Sequence, residues 1–530
     1  MATQLSAAEI LRDHVTLEVE CIDRMYLNLF VPQLQLEGAA ASFFLKHRNQ
    51  TRYLGQQMSL MTQKFRADID AFALREDIPV VQFEKDQRKD EVFLERLRTF
   101  DREEGVVFIG VAQEKAHVMR VVQRKRKGGK PYAWITKGTA MVNHVFYCVD
   151  RNAGPFFLKF CTYFPYPAKM YLNGHEYAKK QLKAAGIGFT ALDNGFLTCD
   201  DPEQLQSICQ QLTPDVIDDL ARKWLRWLPH PFDQKDRLAG YSYQLSMLQV
   251  EFSLTQVLDR PVHGRLFFEQ VIRENLDMGR PDRVALIFKR RIPRNSAAVF
   301  RTRVLTEGVI PSLHFYYKSV HVKQYFKEGR ALRTETTINN TRDVGVKRML
   351  PNLVSLRPIG FSANRHLLDV QRVSHDCMIG HETLEQLARP VRVGHQRVPA
   401  LRFHDPRVQA LFSVLVLFCI QPEGFQAKEF RAFLAPLLGL DPAHLSQGQI
   451  SYNLRRLRLR GLIIKIPKSH RYRVTPDGLR IALFCSRTYS RILRTGLTLI
   501  DTPSAPLQRA FLALDREIDH LCSQAKLAAA

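Results

Sequence analysis

What this sequence lacks narrows its identity first. No apolar run is long enough to span a bilayer: the longest, Leu411 to Ile420, stops far short of the roughly 20 residues a membrane helix requires, and it reads as a buried helix. The nine cysteines stand singly, with no Cys-x-x-Cys and no Cys/His pair at zinc-finger spacing, as expected of reduced core thiols in a cytosol. The first twenty residues carry acids and no apolar stretch, so no secretory signal and no membrane partner are expected. Glycine-rich loops of the P-loop or dinucleotide type are missing, as are HExxH and GxSxG. Nucleotide hydrolysis, zinc proteolysis and α/β-hydrolase chemistry are thereby set aside. Internal repeats and low-complexity tracts are also lacking.

Acid is scarce. Against 77 Lys and Arg there are 53 Asp and Glu, a formal charge of +24. Self-repulsion of that size works against compaction, so the surplus points to a polyanionic partner, DNA or RNA, and to a cytoplasmic, nucleoid-associated location. The 45% apolar and 10% aromatic content is that of an ordinary folded chain, and 530 residues predict two to four domains.

The expected class is α+β and multidomain: an antiparallel, β-rich central region with helical insertions and a C-terminal winged helix-turn-helix. Residues 1–104 read as mostly helical. Residues 105–200 change to short β-branched and aromatic runs around the basic hairpin tip Arg124, Lys125, Arg126, Lys127 and Lys130. Asp150 to Gly154 and Asp193-Asn-Gly195 are turn clusters between strands, and His175–Ala185 is a helix stopped by Gly186. Residues 201–280 read as helical, with Asp201-Pro202 and Thr213-Pro214 as helix starts and Ser242–Leu258 of helical length. Residues 281–345 read as an antiparallel meander and 346–400 as a connector. Residues 401–500 form the winged-helix segment, and 501–530 a last helix.

The C-terminal segment is the most specific. Helices are expected over Arg407–Ile420, Gln426–Leu437 and from Ser446 to Arg460, followed by strands Leu462–Ile466 and Arg471–Val474. In the third helix Ile450, Leu454 and Leu457 share one face. Tyr452, Arg455 and Arg456 point the other way, flanked by Gln449, Asn453 and Arg458. From Arg455 to Arg473 there are eight Lys and Arg and no acid, Lys465, Lys468 and Arg471 among them. Arg, Asn and Gln on a helix read base edges, while cations on the following strands hold phosphates. The string LRRLRLRGLIIKIPKSHRYRVTPDG resembles the recognition helix and wing of winged-helix transcription factors.

Two further constellations could carry chemistry. Glu176, at a helix start after Asn173-Gly, with Asp150 and Asp193 on neighbouring hairpins, could gather Mg²⁺ for phosphodiester cleavage, although each acid also suits its local turn or helix start. From Tyr316 to Ile338, Lys323, Lys327, Arg333, Tyr317, Tyr325 and Glu335 make a basic, aromatic sheet face suited to a nucleic-acid strand. This stretch resembles the strand pair of rolling-circle replication initiators. That resemblance implies Tyr317 or Tyr325 as nucleophile and Glu335 as metal ligand. The chain departs from the pattern in having no His-hydrophobic-His triplet, Leu313-His314-Phe315 being half of one. Lys289 to Arg294, with Arg301 and Arg303, is a further basic loop.

The phrases GPFFLKF, NGHEYAKKQL, LDNGF, VIRENLDMGRPD and RALRTETTIN resemble a group of large bacterial proteins, some borne by mobile elements, which implies no activity. The expected function is nucleic-acid binding, DNA first, of mobile-element or replication type. The alternatives are a Mg²⁺-dependent nuclease, nickase or strand transferase, and an RNA-binding ribonucleoprotein component.

Overall fold

The computed structural model describes residues 7–49, 54–84, 87–125, 128–129, 131–274, 301–305, 312–375, 381–394, 396–418, 424–467, 469–489, 513–514 and 516–517. The predicted strand at 284–288, the loop 289–294 and nearly all of the last helix lie outside these residues. The chain divides into two compact units, Met1–Gln371 and Arg372–Ala530. No described helix is long and apolar enough to cross a membrane.

Unit 1 begins with α1 (Ala7–Asp13), β1 (Val15–Phe30), α2 (Glu37–Ser42), α3 (Leu54–Arg75), β2 (Val80–Gln82) and α4 (Lys89–Arg98). Two long strands, β3 (Gly105–Arg124) and β4 (Tyr132–Asp150), precede β5 (Gly154–Cys161) and β6 (Ala168–Asn173). Then come α5 (Gly174–Ala184), the hairpin β7 (Phe189–Leu192) and β8 (Gly195–Cys199), α6 (Pro202–Gln210), α7 (Pro214–Trp227) and α8 (Gln234–Leu238). The unit continues with β9 (Gln244–Leu258), α9 (Pro261–Glu274), β10 (Arg301–Leu305), β11 (Ser312–Tyr317), β12 (Val320–Lys327), β13 (Ala331–Ile338) and α10 (Leu353–His375).

Eleven of these strands form one sheet in the order β10-β11-β12-β13-β9-β1-β6-β5-β4-β3-β2. Every neighbouring pair is antiparallel except β2 and β3. The meander expected over 281–345 is present as β10 to β13, joined by its last strand to β9, so the two β-rich regions share one sheet. The helical readings of 1–104 and 201–280 are corrected at β1 and β9, the paired strands at the sheet's centre. Strand β9 is buried along much of its length and so loses the alternation that separates strand from helix, whereas β1 alternates but its period is broken by an extra residue at Asp23 and Arg24.

One face of the sheet is packed by α3, through Phe65 against Phe160 and Phe72 against Phe146, and by α10, whose Asn364 donates to the Phe252 carbonyl at 2.9 Å. On the other face α4 covers the β3–β4 end, where Val92, Phe93 and Leu97 pack on Phe108, Val145 and Tyr147. Between α4 and the β7–β8 hairpin, that face leaves Tyr26, Phe157 and Tyr171 half-buried and Arg24 and Lys169 exposed.

Unit 2 contains α11 (His381–Ala388), the hairpin β14 (Val391–Val393) and β15 (Gln396–Val398), α12 (Pro406–Phe418), β16 (Phe425–Gln426), α13 (Ala427–Leu437), α14 (Gln447–Leu459), β17 (Ile463–Lys465), β18 (Arg471–Val474) and α15 (Pro476–Thr488). The last three strands form a small antiparallel sheet in the order β16-β18-β17.

Candidate nucleic-acid interface

The sequence positions α14 closely. The Ser446 side chain accepts from the Gln449 amide and Gln449 accepts from the Ser446 amide, closing both ends of a capping box. Ile450, Leu454 and Leu457 are buried, Gly461 ends the helix at φ 71°, and Thr475 caps α15. What faces outward is polar: Tyr452 is 51% exposed, and Gln449, Arg455 and Arg458 are exposed, with Asn453 half-buried beside them. On the strands that follow, Lys465 and Arg473 are exposed. Lys468 lies outside the described residues. A groove of about 530 Å³ runs along this helix, bounded by Asp405, Arg407, Leu434, Gln449, Tyr452 and Asn453.

Three arginines of the basic run work inward. Arg456 is half-buried and donates to the carbonyls of Ala400 and Pro399. Arg460 donates to Gln386, Arg389 and Pro399 carbonyls at 2.7 to 3.1 Å, tying α14 to the α11–β15 segment. Arg471 donates to the Gly424 carbonyl at 2.6 Å, with Glu429 at 3.9 Å. Carbonyl partners of this kind leave no trace in sequence, because any residue supplies one.

In unit 1 the candidate residues split between surface and interior. Arg333 sits at 0% exposure, although sequence placed it among ligand contacts. Its Nη2 donates to Asp23 Oδ2 and to His175 Nε2, both at 2.8 Å, its Nε donates to Glu335 at 3.1 Å, and its Nη1 donates to the Thr255 hydroxyl. Arg333 can only donate, so His175 Nε2 accepts, and its buried Nδ1 has no hydrogen-bond partner among the described residues. Asn194 of the β7–β8 turn also donates to Asp23, which seals the cluster. Burial opposes charge on Asp23, yet the Arg333 guanidinium, with hydrogen bonds from Asn194 and Arg333, holds its carboxyl well below the usual range.

A bulge makes this cluster possible. Between Ile22 and Met25, β1 advances three residues while β9 advances two, so Asp23 and Arg24 together oppose Glu251. Asp23 turns to the buried arginine, while Arg24, 51% exposed, lies 3.9 Å from Glu251. Beside them Phe157 stacks on Tyr171 with centroids 5.1 Å apart, and Tyr26 adjoins Tyr171 at 4.9 Å. Sequence reasoning passed over these three aromatics because β1, β5 and β6 come together only through long-range pairing. Along β12, Lys323 and Lys327 share Tyr325's face and are half-buried, the Lys323 ammonium 4.3 Å from the Tyr325 ring centroid. Tyr325 donates to Glu335 at 3.0 Å, and burial together with that carboxylate raises its pKa, so the phenol stays protonated. Tyr317 is buried.

The carboxylates proposed for Mg²⁺ do not form a metal-binding group with two further ligating side chains among the described residues. Asp150 is buried and accepts from Trp224 at 2.8 Å, Lys223 at 2.7 Å and two turn amides. Glu176 pairs with Lys179 at 2.8 Å, and Asp193 is exposed in the hairpin turn. Among the described residues none of these, nor Glu335, joins two other metal-binding side chains within 4.8 Å. Arg124 lies over Trp134 at 5.0 Å, at the exposed end of β3 beside Lys125, while Arg126, Lys127 and Lys130 fall outside the described residues. No family model, no curated protein and no solved structure matches this chain.

Proposed function

We propose that this chain binds nucleic acid, DNA first, in a replication or mobile-element setting, and that unit 2 docks on duplex as a winged helix-turn-helix. The observation that carries this reading is the outward set Arg455, Arg458, Lys465 and Arg473, on one helix and the hairpin after it, in a stretch without a single acid. The element order α12-β16-α13-α14-β17-β18, with sheet order β16-β18-β17, supports it. A major groove admits one helix, here α14, whose Asn453 and Arg455 would meet base edges while Lys465 and Arg473 neutralise phosphates. Unit 1 would hold single-stranded or distorted nucleic acid on its open sheet face, bases stacking on Tyr26, Phe157 and Tyr171 and phosphates meeting Arg24 and Lys169.

Two measurements test the two halves. In anisotropy titrations of labelled duplex against salt, Lys465→Ala with Arg473→Ala is expected to weaken binding and lower the log–log salt slope by about two, near 0.9 per lost phosphate contact. An unchanged slope, or no binding by the unaltered chain at low salt, sinks the duplex reading. For the sheet face, Tyr26→Ala with Tyr171→Ala is expected to cost about 1–3 kcal/mol per lost stack on an unpaired oligonucleotide and to leave duplex affinity alone. Equal losses on both ligands would refute the assignment. Competition by structured RNA decides between DNA and RNA.

A further inference from the structure

Away from both surfaces, three side chains from separate elements of unit 1 converge on one point. His14 lies between α1 and β1, Asp259 follows the end of β9, and His263 is in the first turn of α9. The β1–β9 register sets Val15 opposite Leu258, which brings the start of one strand to the end of the other. The Asp259 amide donates to the His14 carbonyl at 3.0 Å and fixes the corner. His263, four residues after Asp259, rises beside it. Both imidazoles then aim Nδ1 at the one carboxylate: His14 at 2.9 Å from Oδ2, His263 at 2.6 Å from Oδ1. Their ring centroids are 3.8 Å apart. The three ligand atoms lie within 4.8 Å of one another, and among the described residues this is the one such group.

We infer that His14, Asp259 and His263 form a binding site for a divalent transition-metal ion of the zinc class. Two imidazole nitrogens select against Mg²⁺ and Ca²⁺, which take oxygen donors, and suit Zn²⁺, Co²⁺ or Ni²⁺. Zinc binds nitrogen and carboxylate oxygen at about 2.0–2.2 Å, so in tetrahedral geometry its ligand atoms stand roughly 3.3 Å apart. The present contacts, 2.9 and 2.6 Å to the two separate carboxylate oxygens, and the 4.8 Å limit on the whole set bracket that spacing, so side-chain adjustment within the cluster reaches it. The ion would replace the two Nδ1 protons now directed at the carboxylate, so metal and protons compete for the same atoms. Side-chain exposure runs from 10% at His263 through 24% at His14 to 35% at Asp259, giving a closed floor and an open side. Three protein ligands and an open side leave the fourth position to water, the arrangement of zinc sites that act on a ligand. Bound metal would also clamp α1, β1 and α9 together.

The test uses the full-length protein stripped with a chelator. Titration with Co²⁺, followed through its visible ligand-field bands and then displaced by Zn²⁺, is expected to saturate at one ion per chain. Zn²⁺ is expected to raise the melting temperature with concentration, as a ligand of the native state does. Asp259→Asn keeps the side chain's shape and an oxygen acceptor, so it is expected to fold and to lose at least about 10–100-fold in affinity. His14→Gln with His263→Gln is expected to abolish the Co²⁺ bands. Absence of saturable binding at millimolar ion overturns the inference. So does undiminished binding in folded Asp259→Asn or in the double variant, which would put the metal elsewhere.

Discussion

Arg333 occupies the centre of an eleven-stranded sheet with no access to water, and two carboxylates on it, Asp23 and Glu335, keep its charge tolerable. Removing one partner of a buried pair strands the other, so Asp23→Ala is expected to cost about 3–5 kcal/mol in urea unfolding. Arg333→Leu with Asp23→Leu is expected to cost less than either single change, and a larger loss in the double variant would disprove the pairing. The depressed Asp23 carboxyl contributes stability above its unfolded value near 3.9, and that share disappears only as acid drives it through its lower folded value. His230 is shifted the same way but acts in a window nearer neutral pH. Burial first, and Arg237 second, push it down to about 4, and its Nδ1 accepts from the Phe232 amide, so it is neutral in the fold. Its contribution is complete above the ordinary histidine value near 6.5 and is lost as pH falls toward 4. His230→Gln should therefore flatten the fall of the urea midpoint between neutral pH and pH 5, and an equally steep fall would exclude this histidine as its source. At this scale sequence singled out Arg333 and Glu335 but not Asp23, because only the β1 bulge turns Asp23 toward them.

Among elements, those with punctuation were legible. Ser446, Thr475, Asp201-Pro202 and Thr213-Pro214 each cap a helix where their residue types predict, because a cap is decided by a few adjacent atoms. Ser446→Ala is expected to remove about 1 kcal/mol, read as a lower melting temperature. The β7–β8 turn at Asp193-Asn194 was legible for the same reason. The strands β1 and β9 were not, since their faces are set by partners distant in sequence. Helix α10 supplies an inverted case. Gly360 within a helix ordinarily costs about 1 kcal/mol relative to Ala. Here an added Cβ would stand 2.1 Å from the Phe252 ring of β9. Gly360→Ala is accordingly expected to destabilise by about 1–3 kcal/mol, as overpacking does. A gain in melting temperature would mean that the helix and strand separate more easily than their packing indicates.

For the whole molecule, net charge was the most transparent property and strand order the least. A surplus of 24 positive charges is a count, whereas the order of the sheet is the outcome of closing loops hundreds of residues long. Arg456 marks the limit of pattern reading at this scale: sequence put it on the exposed side of α14, but its guanidinium is spent on the Pro399 and Ala400 carbonyls. Arg456→Ala is therefore expected to lower the melting temperature while leaving the salt slope of duplex binding nearly unchanged, the reverse of Lys465→Ala. A changed slope at full stability would return Arg456 to the interface. The bulge in β1 has a consequence for length variation. Beyond it every side chain of the strand keeps its face only because one residue is doubled at Asp23 and Arg24. Deleting Arg24 would exchange inside for outside from Met25 to Phe30, presenting Met25, Leu27 and Leu29 where Tyr26 and Asn28 now stand. A strand in such a position tolerates substitution far more readily than a change in count, so natural variants of this chain should differ in the letters of residues 15–30 and agree in their number.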